Sequence, residues 1–69
     1  MTMGSADVDT AVNEYEASCE NLYRSELALH DAHQTHEDAW ITAAADRLHQ
    51  AVLRHESAAR ILEELRATA

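Results

Sequence analysis

Apolar positions recur along the chain in alternating steps of four and three, the spacing of one face of an α-helix. The first half carries the series Val8, Val12, Tyr15, Cys19, Leu22, Glu26, Leu29 and His33. The second half carries the series Ile41, Ala45, Leu48, Val52, His55, Ala59, Leu62 and Arg66. Neither glycine nor proline occurs after Ser5, and the abundant alanine, glutamate, leucine and arginine favour helix. The pattern therefore predicts an all-α chain with two long helices.

The two series do not share one register, so the chain needs a break between them. Continued in the same steps, the first series reaches residue 40, whereas the second passes through Ile41. Thr35 is expected to be the N-cap of the second helix, with Asp38 in the capping-box position. We predict one domain over residues 1–69, with helix 1 at about 6–34, a turn at about 35–37 and helix 2 at about 38–67.

Folding the chain back at this turn brings the two series face to face, with Val12 opposite Leu62 and Cys19 opposite His55. A strip of small residues, seven apart, lies beside each series and makes the apolar face too wide for two helices alone. The pattern predicts an antiparallel helical hairpin that dimerises into a four-helix bundle. The expected dimer core comprises Val12, Tyr15, Cys19, Leu22, Leu29, Ala45, Leu48, Val52, Ala59 and Leu62.

Charge is distributed unevenly between the two predicted helices. The 69 residues carry 13 acidic and 5 basic side chains, for a net charge of −8, and residues 1–38 hold nine of the acids but only one base, Arg24. This balance argues against nucleic-acid or anionic-membrane surfaces as partners. No apolar run approaches the ~20 residues of a membrane span, no signal peptide is evident, and a single cysteine is typical of cytoplasmic proteins.

Three histidines spaced three apart, His30, His33 and His36, lie near the predicted turn. Imidazoles at this spacing stay roughly on one side of a helix and are ligands for Zn²⁺ or a similar divalent metal. Two interpretations stay open, a metal-binding or metal-sensing bundle and a solvated polar tip. The second is favoured because no Glu-x-x-His pair accompanies these histidines, so no cofactor is expected.

Cys19 and His55 form a second candidate pair, because the predicted pairing places a thiol opposite an imidazole. A cysteine and a histidine can act as nucleophile and base. Neither a third orienting group nor an oxyanion donor is evident, and a small bundle offers few pockets. We therefore expect no enzymatic activity, and we interpret polar residues at core positions as determinants of register and oligomeric state.

The favoured function is that of a small acidic protein–protein interaction module, an adaptor, inhibitor or antitoxin-like regulator of an unknown protein. Helix faces would dock the partner, and the acidic helix would steer its approach. The candidate partner-binding residues combine exposed apolar or aromatic side chains with acidic ones. They are Trp40, Tyr23, Leu27, Glu16 and Glu20.

A further alternative rests on architecture. A dimeric helical hairpin resembles Rop, a plasmid copy-number regulator that binds RNA. The resemblance implies an RNA-binding dimer, and Arg47 and Arg54, seven residues apart, are the side chains that would contact a phosphate backbone.

Overall fold

The computed structural model describes the backbone of residues 5–68 and the side chains of residues 7–68. Helix α1 spans Ser5–Thr35 and helix α2 spans Asp38–Thr68, each with 31 residues. The helices pack side by side in a slender body of 54 × 14 × 13 Å. The predicted all-α helical hairpin is therefore confirmed, and the chain reverses between Thr35 and Asp38, near the expected turn at about 35–37. Dimerisation stays a prediction.

The chain reverses direction in two residues, His36 and Glu37. His36 has a φ of 58°, in the left-handed region, and its N–H donates to the carbonyl of His33 at 3.3 Å. The carbonyl of Glu37 then accepts the N–H of Ile41 at 3.0 Å, which closes the first turn of α2. A left-handed residue after a helix is a common way to end it, although a side chain at that position costs about 1–2 kcal/mol.

Thr35 does not cap α2, contrary to expectation, because α1 continues through Thr35. Its hydroxyl donates to the carbonyl of Ala32 at 2.7 Å and accepts the N–H of Glu37 at 3.4 Å. The residue directly before α2 is Glu37, so the capping-box assignment with Asp38 was wrong. The two hydrogen bonds of the Thr35 hydroxyl instead connect the last turn of α1 with Glu37 in the turn.

The line along which the two helices meet, here called the seam, consists largely of small side chains. Its most buried members are Ala11, Ser18, Ala32, Ala44, Ala51, Ala58 and Leu62. The predicted pairing therefore needs a correction of one residue on each helix. Ala45, placed in the predicted core, is exposed, whereas its neighbour Ala44 is buried. Small side chains occupy the centre of the seam because they let the helix axes approach closely, while larger side chains pack at its sides.

Most of the other predicted core residues lie beside the seam and are only half-buried. They are Val12, Tyr15, Cys19, Leu22, Leu29, Leu48, Val52 and Ala59. Glu26 and His33, also in the predicted series, are exposed. Leu62 belongs to both the predicted and the observed seam. Neither helix, over residues 5–68, contains a stretch long and apolar enough to cross a membrane.

Candidate functional site

One side of the hairpin presents a strip of half-buried apolar residues, which we call the apolar face. It is formed by the residue that follows a seam position on each helix, because in an antiparallel pair these residues project to the same side. Its half-buried members are Val12, Cys19, Val52 and Ala59, whereas His33, Ala45 and Glu63, which also follow seam positions, are exposed. Val12 and Ala59 line one shallow groove between the helices, together with Tyr15, Leu62 and the charged residues Glu16, Glu63 and Arg66. The face is continuous with the seam and open to solvent.

A polar cluster lies on the seam next to this face and centres on Ser18, which is 1% exposed. The Ser18 hydroxyl donates to the carbonyl of Tyr15 at 2.7 Å. Its Oγ also lies 3.1 Å from Nδ1 of His55. Since the only hydroxyl proton is used on the carbonyl, Nδ1 must be the protonated nitrogen and donate to Oγ. The interhelical bond thus fixes the tautomer of His55 and satisfies a buried polar group.

Cys19 joins the same cluster, because its Sγ lies 3.7 Å from Nδ1 of His55. The rings of Tyr15 and His55 are 5.1 Å apart and inclined by 35°. Hydrogen bonding to Cys19, Coulombic interaction with the same side chain and desolvation raise the pKa of Tyr15 above its usual value. The predicted proximity of Cys19 and His55 is therefore confirmed. Within the described part of the chain, His55 contacts no carboxylate that would orient it as a base.

Four of the five candidate partner-binding residues share one stripe of α1. Glu16, Glu20, Tyr23 and Leu27 follow one another in steps of four, three and four, which places them along one side of the helix. All four are exposed, Tyr23 by 63%. Glu20 accepts a hydrogen bond from Arg24 at 2.6 Å, a surface ion pair that contributes little to stability. We call this set the α1 stripe.

Trp40 is not part of the α1 stripe. It lies in the first turn of α2, is exposed, and lines a groove on the side opposite the apolar face. Alanines form much of that groove, with Asp31 and Arg47 among its other residues. The structure thus separates the candidate partner-binding residues into two places.

The three histidines near the turn are all exposed. His30 and His33 lie on α1, but His36 lies beyond the end of that helix at Thr35. The three histidines are therefore not aligned along one side of a single helix. Within residues 7–68, no three potential ligands come together as a metal-binding group. Metal binding by these histidines stays a prediction.

Arg47 and Arg54 lie along one groove on the side opposite the apolar face. Asn21, Ser25, Asp46, Gln50 and Ala51 also line it, so an acidic side chain lies in the same groove as the two arginines. RNA binding through these arginines likewise stays a prediction.

Sequence reasoning missed the role of Ser18, because it treated the small-residue strip as secondary. The signal was present, since the strip on α1 repeats every seven residues through Ala11, Ser18, Ser25 and Ala32. A serine in such a strip, opposite a histidine, indicates an interhelical hydrogen bond.

Comparison with protein families, curated proteins and solved structures finds no match to this chain.

Proposed function

We propose that the protein is a small acidic interaction module that pairs with a second copy through the apolar face and docks another protein through the α1 stripe. The observation that carries the proposal is the apolar face itself. Val12, Cys19, Val52 and Ala59 stay half-exposed along a hairpin whose seam is otherwise closed.

The composition of the seam supports self-association. Among the most buried residues described, all but Leu62 are alanine or serine, so the isolated hairpin buries little apolar surface per residue. A lone core in a chain of this size rarely supplies more than about 3–5 kcal/mol. A second copy on the apolar face would bury the larger side chains that the seam leaves at its side.

The α1 stripe supports docking of a separate protein. Tyr23 and Leu27 are exposed without a structural role in the seam, and tyrosine is enriched among residues that dominate binding energy. Glu16 and Glu20 lie on the same stripe. They belong to residues 1–38, the part of the chain that carries the whole net charge of −8. Such a surface steers a basic partner and accelerates encounter more than it adds affinity.

Capture from a lysate of the source cells with matched charge variants tests the docking surface. Glu16→Gln combined with Glu20→Gln should lower retention of a bound protein by at least about tenfold at low salt, because removing rim charges slows association. Retention by the unmodified chain should also fall as salt rises, since exposed charges are screened. Quantitative mass spectrometry of the eluate measures both effects.

Glu56→Gln combined with Glu64→Gln is the matched control, because it removes the same charge from exposed positions of α2. Equal losses in both double variants would contradict docking through the α1 stripe, as would retention of no protein at all. A retained species that ribonuclease destroys, and that Arg47→Ala with Arg54→Ala abolishes, would favour RNA binding instead.

A further inference from the structure

Near the turn, on the side opposite the apolar face, the two helices form a groove with a volume of about 530 Å³. We propose that this groove binds a zwitterionic dipeptide whose first side chain is aromatic. The ammonium group of the dipeptide contacts Asp31, its carboxylate contacts Arg47, and its aromatic ring packs against Trp40. This binding site goes beyond the proposed function, because it uses neither the apolar face nor the α1 stripe.

Small apolar side chains form the floor of the groove. Ala32 and Ala44 are buried members of the seam, and Ala28 and Ala43 extend the same lining. Because each of these side chains is a single methyl group, the space above them is left open. Pockets of about 300–1,000 Å³, with a largely apolar lining and a few polar groups, are typical sites for small molecules.

Trp40 supplies an aromatic surface at the part of the groove nearest the turn. Its side chain lines the groove although 61% of the residue is exposed, so most of the indole is in contact with water. Covering such a surface is favourable, and a second aromatic ring gains further from stacked or edge-to-face packing. The groove therefore favours a ligand with an aromatic side chain.

Two opposite charges line the same groove, one on each helix. Asp31 belongs to α1 and Arg47 belongs to α2. Within residues 7–68, neither side chain is paired with an opposite charge. The carboxylate is thus available to a cationic group, and the guanidinium can hold a carboxylate by two hydrogen bonds. A ligand that carries both charges uses both side chains.

The spacing of the two charges along the hairpin matches the length of a dipeptide. Asp31 lies four residues before the end of α1, and Arg47 lies nine residues after the start of α2. Since the turn is short, this difference of five residues places them about 7.5 Å apart along the helix axes. Two extended residues span about 7 Å. A single amino acid holds its charges closer together, and a longer extended peptide holds them farther apart.

The order of the groups along the groove sets the direction of the peptide. Trp40 lies two residues after the start of α2, so it is closer in level to Asp31 than to Arg47. An ammonium group at Asp31 therefore places the first side chain beside Trp40. The second residue then passes over the alanines towards Arg47 and has room for a small side chain. Phenylalanyl-alanine meets these requirements and is the probe.

Trp40 is the only tryptophan in the chain, so its fluorescence reports binding in the groove directly. Titration of the unmodified chain with phenylalanyl-alanine should give a saturable change, with a dissociation constant of about 1 mM or tighter. Asp31→Asn and Arg47→Gln should each weaken binding at least about threefold, a modest effect because exposed charge pairs contribute little. The N-acetylated and the C-amidated dipeptide each lack one charge and should bind more weakly by a similar factor.

The chain offers matched controls for both features of the groove. Asp46→Asn and Arg54→Gln change the same charges at exposed positions that do not line it, so both variants should bind like the unmodified chain. Ala43→Leu should abolish binding, because the larger side chain fills the groove. Ala45→Leu, at an exposed position outside the lining, should leave binding unchanged.

The absence of a saturable fluorescence change up to about 20 mM dipeptide would overturn the proposal. It would also be overturned by equal weakening in the charge variants and their controls, or by binding that survives Ala43→Leu. Unchanged affinity for the N-acetylated dipeptide would contradict the contact with Asp31. Isothermal titration calorimetry on the same variants provides a readout that does not depend on Trp40. These results are distinguishable from failure of the proposed function, which is measured by self-association and by protein capture.

Discussion

Replacing Leu62 by alanine is expected to lower the free energy of unfolding by about 2–5 kcal/mol, enough to unfold much of the isolated chain. Leu62 is 7% exposed and is the only large apolar side chain among the most buried residues described. Val12 and Tyr15 of α1 line the same groove as Leu62 of α2. Removing it therefore loses both the transfer free energy and the packing contacts of the side chain.

Ile61→Ala is the matched control for this prediction. Ile61 precedes Leu62 in α2, has the same number of carbon atoms and is 44% exposed. Its replacement should change stability far less, because most of the lost surface is already in contact with water. Urea unfolding followed by circular dichroism at one chain concentration measures both variants. Equal losses, or a larger loss for Ile61→Ala, would contradict the position of the seam.

Ala44→Leu is expected to destabilise the hairpin by about 1–3 kcal/mol through overpacking. Ala44 is buried at the seam, where small side chains set the distance between the helix axes. A leucine there must push the helices apart or adopt a strained rotamer. Helix propensity contributes little, because alanine and leucine are both strong helix formers.

The chain offers an unusually close control, because Ala43, Ala44 and Ala45 are consecutive and only the middle one is buried. Ala43→Leu and Ala45→Leu should each stay within about 0.5 kcal/mol of the unmodified chain, as surface substitutions usually do. Thermal unfolding at a dilution that keeps the chain monomeric compares the three. If Ala45→Leu were the most destabilising of them, the register inferred from the four-and-three series would be right and the observed seam wrong.

The sequence was sufficient to predict the hairpin and the approximate position of its turn. The absence of helix-breaking residues after Ser5 and the change of register before Ile41 leave one place for the chain to reverse. The details of the turn were harder to predict. His36 adopts a left-handed conformation although it is not a glycine, the residue type that usually indicates this conformation in a sequence. Thr35 belongs to the end of α1 and does not cap the start of α2.

The seam was predicted one residue away from where it lies, for a physical reason. The strip that contains larger side chains such as Val12 and Val52 is more hydrophobic than the neighbouring strip of alanine and serine. A prediction from hydrophobicity alone therefore assigns the more hydrophobic strip to the core. Close approach of the helices favours the smaller strip. The larger side chains are then displaced to one side, where they form the apolar face.

The candidate site was predictable in part. The proximity of Cys19 and His55 follows from either register, because the two registers differ by only one residue on each helix. The hydrogen bond between Ser18 and His55 follows only from the observed one. What covers the apolar face depends on a second molecule, and a pattern within one chain does not specify it.

Sedimentation equilibrium at micromolar concentration, with a reductant and a chelator present, tests the central claim that the apolar face pairs two copies. We expect a species of twice the 7.7 kDa chain mass. Val52→Glu, which places a charge on the apolar face, should reduce it to a single chain, since an unpaired charge is costly to bury. Leu53→Glu, at a position 47% exposed, should remain a dimer. A folded monomer of 7.7 kDa for the unmodified chain would contradict the account.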